Sequence, residues 1–136
     1  MHRLTVPTRQ REEFVEITDD LRRVVAMRGW RDGILNVFVP HTTAGVTINE
    51  NADPDVVHDM LLALRNLVPR EQSGFRHAEG NSDSHVKASW MGSSCQVLVE
   101  RGELVLGTWQ GVQFCEFDGP RTRSVWVSWI GGGGAA

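Results

Sequence analysis

Long apolar runs, blocks of like charge and paired cysteines are what this 136-residue sequence lacks. No apolar stretch approaches the ~20 residues that a membrane-spanning helix needs, so a helical membrane protein is not expected. The N-terminus, MHRLTVPTRQREE, has no apolar segment of the kind a secretory signal carries. Cys95 and Cys115 are the only cysteines, far apart and without metal-ligand spacing. Reduced, partly buried thiols are therefore expected, not a disulfide, and the expected location is the cytoplasm. The net charge is −3, and the arginines of the first third (Arg3, Arg9, Arg11, Arg22, Arg23, Arg28 and Arg31) are interleaved with acids. That pattern is a solvated surface without the basic footprint of a nucleic-acid binder.

What is present suits one soluble domain. The chain is 40% hydrophobic and 23% charged, and a domain of this length buries roughly 70% of its unfolded surface. "LTVPT" and "EFVEIT" predict extended structure, with Pro7 at an edge or bend. "TDDLRRVVAMRG" changes to helical period, with Leu21, Val24, Val25 and Arg28 on one face, Thr18 or Asp19 as cap and Gly29 as terminator. "ILNVFVP" predicts a buried strand because it is almost uninterruptedly apolar, and "GVTINEN" a second. Asp53 as N-cap and Pro54 at the first position open a helix with an apolar stripe of Val56, Val57, Met60, Leu61, Leu64, Leu67 and Val68, stopped by Pro69. Ser82 or Asp83 is placed to cap a short helix through "HVKASWMG". The remainder reads as sheet: "CQVLVE" and "ELVLG" around a tight Arg101-Gly102 turn, then "TWQGVQFCEF" and "RSVWVSWI" around "DGPR". No domain boundary or internal repeat interrupts residues 1–130. The glycine- and alanine-only segment 131–136 has nothing to bury and is expected to be disordered. The fold class is α+β.

Reactive residue types gather in "HAEGNSDSH", from His77 to His85. His2 is terminal, and His58 lies on the polar side of its helix. His41 ends a strand and opens "HTTAG", where small residues allow backbone or ligand to approach. A loop can bring His77 and His85 to one point with His41 as a third nitrogen, the donor set of a catalytic zinc site; iron, nickel and copper accept the same ligands. The alternative is a polar loop with a helix cap, since spacing does not establish convergence. Glu79, Asp83 and Glu116 are candidate bases or orienting carboxylates. Asp83 is equally a cap, and Glu116 equally an outward strand residue. Asn49 and Glu50 are pocket walls or a strand end. Lys87 and Arg121 are phosphate contacts or surface charges. Trp109, between glycines, suits a pocket wall or a subunit contact. Trp126 and Trp129 fall on opposite faces of the last strand, so one needs cover beyond a one-faced sheet.

"HTTAGVTINENADPDV", "HAEGNSDSHVKAS", "GSS" and "LVLGTWQGVQFCEFDGPRTR", in that order, resemble the YjbQ-like family, also labelled secondary thiamine-phosphate synthase. The resemblance runs from about His2 to Trp129. It implies an α+β domain with two main helices and jelly-roll-like mixed or antiparallel sheets, assembled as a homotrimer with a histidine pocket close to the subunit interface. By position it implies His41, His77 and His85 as metal ligands, with Asp83 and Glu116 as the carboxylates tied to activity. The implied reaction joins a pyrimidine diphosphate to a thiazole phosphate and releases pyrophosphate. Zinc suits the histidines, and Mg2+ suits a diphosphate substrate. A trimeric ligand-binding or scaffold protein with only incidental synthase activity is the other reading.

Overall fold

The computed structural model describes residues 1–132. The order of elements is β1 (His2–Pro7), β2 (Glu13–Glu16), α1 (Thr18–Arg28), β3 (Gly33–Phe38), β4 (Ala44–Glu50), α2 (Pro54–Leu67), α3 (Ser82–Met91), β5 (Ser94–Glu100), β6 (Glu103–Val105), β7 (Gln110–Glu116) and β8 (Thr122–Gly131). Two antiparallel sheets result, one in the order β1-β8-β3-β5-β6 and one in the order β2-β7-β4. Period-two apolar residues from both sheets meet in one core: Val6, Leu35, Val37, Val97, Val125 and Val127 from the first, and Ala44, Val46, Val112 and Phe114 from the second. α1 closes this core with Leu21, Val24 and Val25, while Arg28 is exposed. The outer face of the three-stranded sheet carries a smaller cluster, in which Cys115 and Phe117 meet Leu64 of α2 and Ala88 of α3. β7 is therefore covered on both faces, which is why residues Gly111 to Glu116 are all buried.

Local signals explain most boundaries. The Asp53 carboxylate accepts the N–H of Asp55 at 2.9 Å, with Pro54 at the first helical position. Such a cap contributes about 1 kcal/mol. Gly29 ends α1 in the left-handed conformation at φ 67°, and its N–H returns to Ala26 O. Arg101 and Gly102 both have positive φ (53° and 82°), as the two-residue hairpin requires.

Several expectations need correction. Neither Thr18 nor Asp19 caps α1; the cap position is Ile17, and the Thr18 hydroxyl instead bonds Glu16 and the N–H of Val112. "ILNVFVP" is not buried throughout: Leu35, Val37 and Val39 face the core, while Phe38 faces outward against Trp126. The α2 stripe is only partly covered, with Leu64 buried and Leu67 69% exposed. The short helix expected through "HVKASWMG" is present as α3, but at ten residues against eleven it is nearly as long as α1, so the main helices are three and not two. Gly131 and Gly132, expected to be disordered, are ordered: Gly131 pairs with Gly33 in the sheet, and Gly132 N–H reaches Asp32 O at 2.7 Å. The remaining part of that expectation, residues 133–136, lies outside the described residues.

Candidate functional site

Where β3 ends, Val39 N–H bonds Ser93 O and the chain turns through Pro40 to Thr43 into β4. Gly45, early in β4, permits a close approach of the end of α3. A β-carbon at Gly45 would stand 2.7 Å from Gly92 O and 3.0 Å from Met91 Cβ, closer than packed atoms allow. Gly45 of "HTTAG" thus admits a helix, while Thr42 and Ala44 line the open hollow beside His41, and this seating sets His85 of α3 across from them. His77 arrives from the preceding loop and stands edge-on to His85, ring centroids 5.4 Å apart. Two adjoining hollows of about 510 and 430 Å³ share His41, Thr42 and His85; the second also reaches His77, Asn81, Arg121 and Arg123. Three histidines distant in sequence therefore line one cleft.

The His41 ring is fixed by main chain. Its Nε2 accepts the N–H of Ser124 at 3.0 Å. Partial burial, then the positive charge of Arg123, hold its pKa below the usual histidine value, with Glu116 acting in the opposite sense. Arg123 is itself buried at the base of the second hollow. Its guanidinium grips Glu116 through Nε and Nη2, and Nη2 also donates to the Thr43 hydroxyl at 2.9 Å. Arg121, half-exposed at the rim, donates to Asp118 through Nε and Nη2.

The expected catalytic carboxylates do not face this cleft as free groups. Asp83 is fully buried in the first turn of α3 and caps nothing, the cap position being Asn81. Arg11 donates to both its oxygens, at 3.0 and 3.2 Å, and Lys87 to one, at 2.9 Å. Burial alone would raise its pKa, but these two cations hold it below the ordinary carboxylate value. Lys87 is also spoken for: only 1% exposed, it bridges Asp83 and Glu12 and is no free phosphate donor. Glu116 faces inward, not outward; Arg123, the Thr8 hydroxyl and the N–H groups of Phe117 and Asp118 occupy its oxygens. Both carboxylates are structural anchors.

Asn49, Glu50 and Trp109 belong to the other end of the molecule. β4 starts at the cleft and rises about 3.3 Å per residue, so Glu50 ends roughly 20 Å away. There the Asn49 amide oxygen accepts Glu50 N–H, Glu50 accepts Asp53 N–H ahead of α2, and Trp109 O accepts Asn51 N–H. None of the three lines the cleft of its own chain. The thiols offer no nucleophile: burial pushes Cys95 up to about 11 and raises Cys115 further.

Arg11, Glu12, Asn81 and Arg123 are site-forming residues that the sequence reading missed. Arg123 had a signal: it occupies the inward position of an otherwise apolar alternation, Arg123, Val125, Val127. A charge there needs a buried partner, and Glu116 supplies it.

This is a single α+β domain of curled antiparallel sheets with three helices and a histidine-lined cleft. The family model described as UPF0047 protein YjbQ-like matches residues 2–132, and the chain belongs to that family. The UPF0047 protein YugU of Bacillus subtilis is 48% identical over 128 residues, covering 94% of this chain and 97% of the relative. A UPF0047 protein of Methanocaldococcus jannaschii is also 48% identical, with 93% and 91% covered. A YjbQ/UPF0047-family crystal structure from Clostridium acetobutylicum superposes with a TM-score of 0.93 at 49% identity, covering 96% of this chain and all of that one. A conserved protein from Thermus thermophilus gives 0.90 at 45% identity, with 96% and 100% covered. No helix among the described residues is long and apolar enough to cross a membrane.

Proposed function

We propose that this protein is a cytoplasmic small-molecule enzyme whose histidine cleft takes a phosphorylated substrate. The reaction is the one the family resemblance implies: a pyrimidine diphosphate joins a thiazole phosphate and pyrophosphate leaves. One observation carries this reading, the gathering of His41, His77 and His85 with Arg121 and Arg123 around a single cleft. As the bond to the diphosphate oxygen breaks, negative charge builds on the departing pyrophosphate, and fixed donors around it lower the barrier. Arginines and imidazole N–H groups are such donors.

The zinc site expected at the three histidines fits only in part. His77 and His85 are close enough to turn toward a common cation, and Glu79 Oε2 lies 3.7 Å from His77 Nε2. His41 does not join them, because its Nε2 lone pair already accepts the Ser124 N–H. Among the described residues no three His, Cys, Asp or Glu side chains converge as a metal-ligand group.

The jelly-roll wrapping and the homotrimer are part of the same proposal. Phe38, Leu98, Val105 and Ile130 stand exposed on the outer side of the five-stranded sheet, and Leu62 and Leu67 on α2. Uncovered apolar groups in such number favour assembly. They also keep alive the reading of a trimeric binding or scaffold protein without a main catalytic role. The discriminating experiment incubates wild type, His85→Ala and His77→Ala with the pyrimidine diphosphate and the thiazole phosphate and measures pyrophosphate and thiamine phosphate. Turnover by wild type that falls at least tenfold in both variants is expected. Equal product from all three would assign the activity elsewhere, and no product with retained pyrophosphate binding would favour the scaffold.

A further inference from the structure

We infer that His41 is a hydrogen-bond donor to an anionic oxygen of the cleft's ligand, locked in the Nδ1–H tautomer by the backbone of β8, and not a metal ligand. The substrate class rests on the function proposed above; the tautomer does not.

A neutral imidazole has one N–H and one lone pair. Ser124 N–H can only donate, and its acceptor is His41 Nε2 at 3.0 Å, so the lone pair is on Nε2 and the proton on Nδ1. Turning the ring over would put a C–H against the Ser124 N–H and leave a partly buried donor without its partner, which costs up to the worth of the lost bond. The lock comes from strand geometry and not from a side chain, so the ring cannot exchange tautomers without moving β8. A metal bound at either nitrogen would need that nitrogen's lone pair free. Neither is free here.

The neighbour of this donor is also built to donate. Arg123 is 4% exposed; Nε and Nη2 are used on Glu116 and Thr43, while Nη1 has no partner among the described residues and is not among the sealed, unsatisfied atoms. Arg123 and His41 line the same hollow and are joined through Thr43 and Ser124, each adjacent in sequence to one of them or nearly so. Glu116 neutralises much of the arginine's charge, so the hollow offers directed N–H groups in place of a bare cation. A terminal phosphate or pyrophosphate oxygen is the matching acceptor, since it can take several such bonds at once.

The test is ring-nitrogen NMR of the ¹⁵N-labelled full chain: free, with inorganic pyrophosphate, and with Zn2+. Expected are the Nδ1–H tautomer at His41 in the free protein, a shift of that N–H on adding pyrophosphate, and no zinc-induced change of its ring nitrogens. Two substitutions make the result independent of the spectrum. His41→Ala should weaken pyrophosphate binding roughly 10- to 100-fold, the loss of one hydrogen bond to a charged group. His41→Asn, whose Nδ2–H takes the place of Nδ1–H, should restore it to within a few-fold of wild type. A protonated Nε2, a zinc shift at His41, or His41→Asn binding as poorly as His41→Ala overturns the inference. Failure of wild type to bind pyrophosphate would instead overturn the substrate reading, while the tautomer is still read from the free protein.

Discussion

Two groups of polar, titratable residues flank the first turns of α3, and they serve opposite ends. Beneath the helix, buried Asp83 and Lys87 join half-buried Arg11 and Glu12 in a quartet in which each charge meets an opposite one within 3.2 Å. Beside it, His41, His77 and His85 line an open cleft. The quartet spends most of its hydrogen-bonding capacity internally, Arg11 Nε being its one buried atom without a partner among the described residues, whereas the cleft histidines leave more of theirs open. A residue's chemistry is available to a ligand only where its partners leave something over. By that criterion the acids named for catalysis are scaffold, and the histidines are the groups left open to a ligand.

The contrast is broken most severely by deleting Glu116. Removing one member of a buried ion pair leaves the other charged and unpaired, at a cost of about 3–5 kcal/mol. Glu116→Ala strands Arg123, which is 4% exposed, and frees the N–H of Asp118, while Phe117 N–H keeps Thr43 O. Urea unfolding should show that loss. A change below about 1 kcal/mol would mean that Glu116 is not an anchor and would reopen a catalytic role.

Asp83→Asn is the next largest, at about 2–4 kcal/mol, since Lys87 keeps Glu12 and Arg11 is partly exposed. The sign with pH follows from the depressed pKa of Asp83. Its stabilisation is fully present above the unfolded carboxylate pKa of about 3.9 and is lost as pH falls through the lower folded value. Wild-type stability should therefore drop on acidification below about pH 4, and the difference between wild type and Asp83→Asn should narrow there. A difference that stays constant from pH 7 to 2.5 would show that the carboxylate's charge is not what holds α3. Activity per folded molecule should keep its pH profile in the variant, which a general acid or base would not.

The strands, the Asp53 cap and the Arg101-Gly102 hairpin were legible because each depends on residues within a few positions. The site was legible only as a list of residue types. Asp83 looks like a helix cap until Arg11, 72 positions earlier, is placed beside it. Glu116 looks like an outward strand residue until β7 is seen to be covered on both faces, by the core and by α2 and α3. Asn49, Glu50 and Trp109 share motifs with the site in sequence, yet the paired seven-residue strands β4 and β7 place them at the far end. His41 and His85 line one cleft, but nothing in their separation along the sequence encodes it. What encodes it is Gly45, whose missing side chain lets α3 lie against β4.

That glycine joins the two regions and gives the mildest of the three perturbations. Gly45→Ala places a methyl 2.7 Å from the backbone oxygen of Gly92 and 3.0 Å from Met91 Cβ. Backbone cannot rotate away as a side chain would, so α3 must shift by a few tenths of an ångström, at about 1–3 kcal/mol. The ion quartet spans long, flexible side chains and can follow such a shift. The cleft cannot follow it, because His41 is tied to β8 through Ser124 while His85 moves with the helix. A moderate loss of stability with a larger proportional loss of pyrophosphate binding is therefore expected, from melting curves and titration of the same variant. Binding that falls only in step with the folded fraction would mean that the spacing of His41 and His85 is not what the ligand reads.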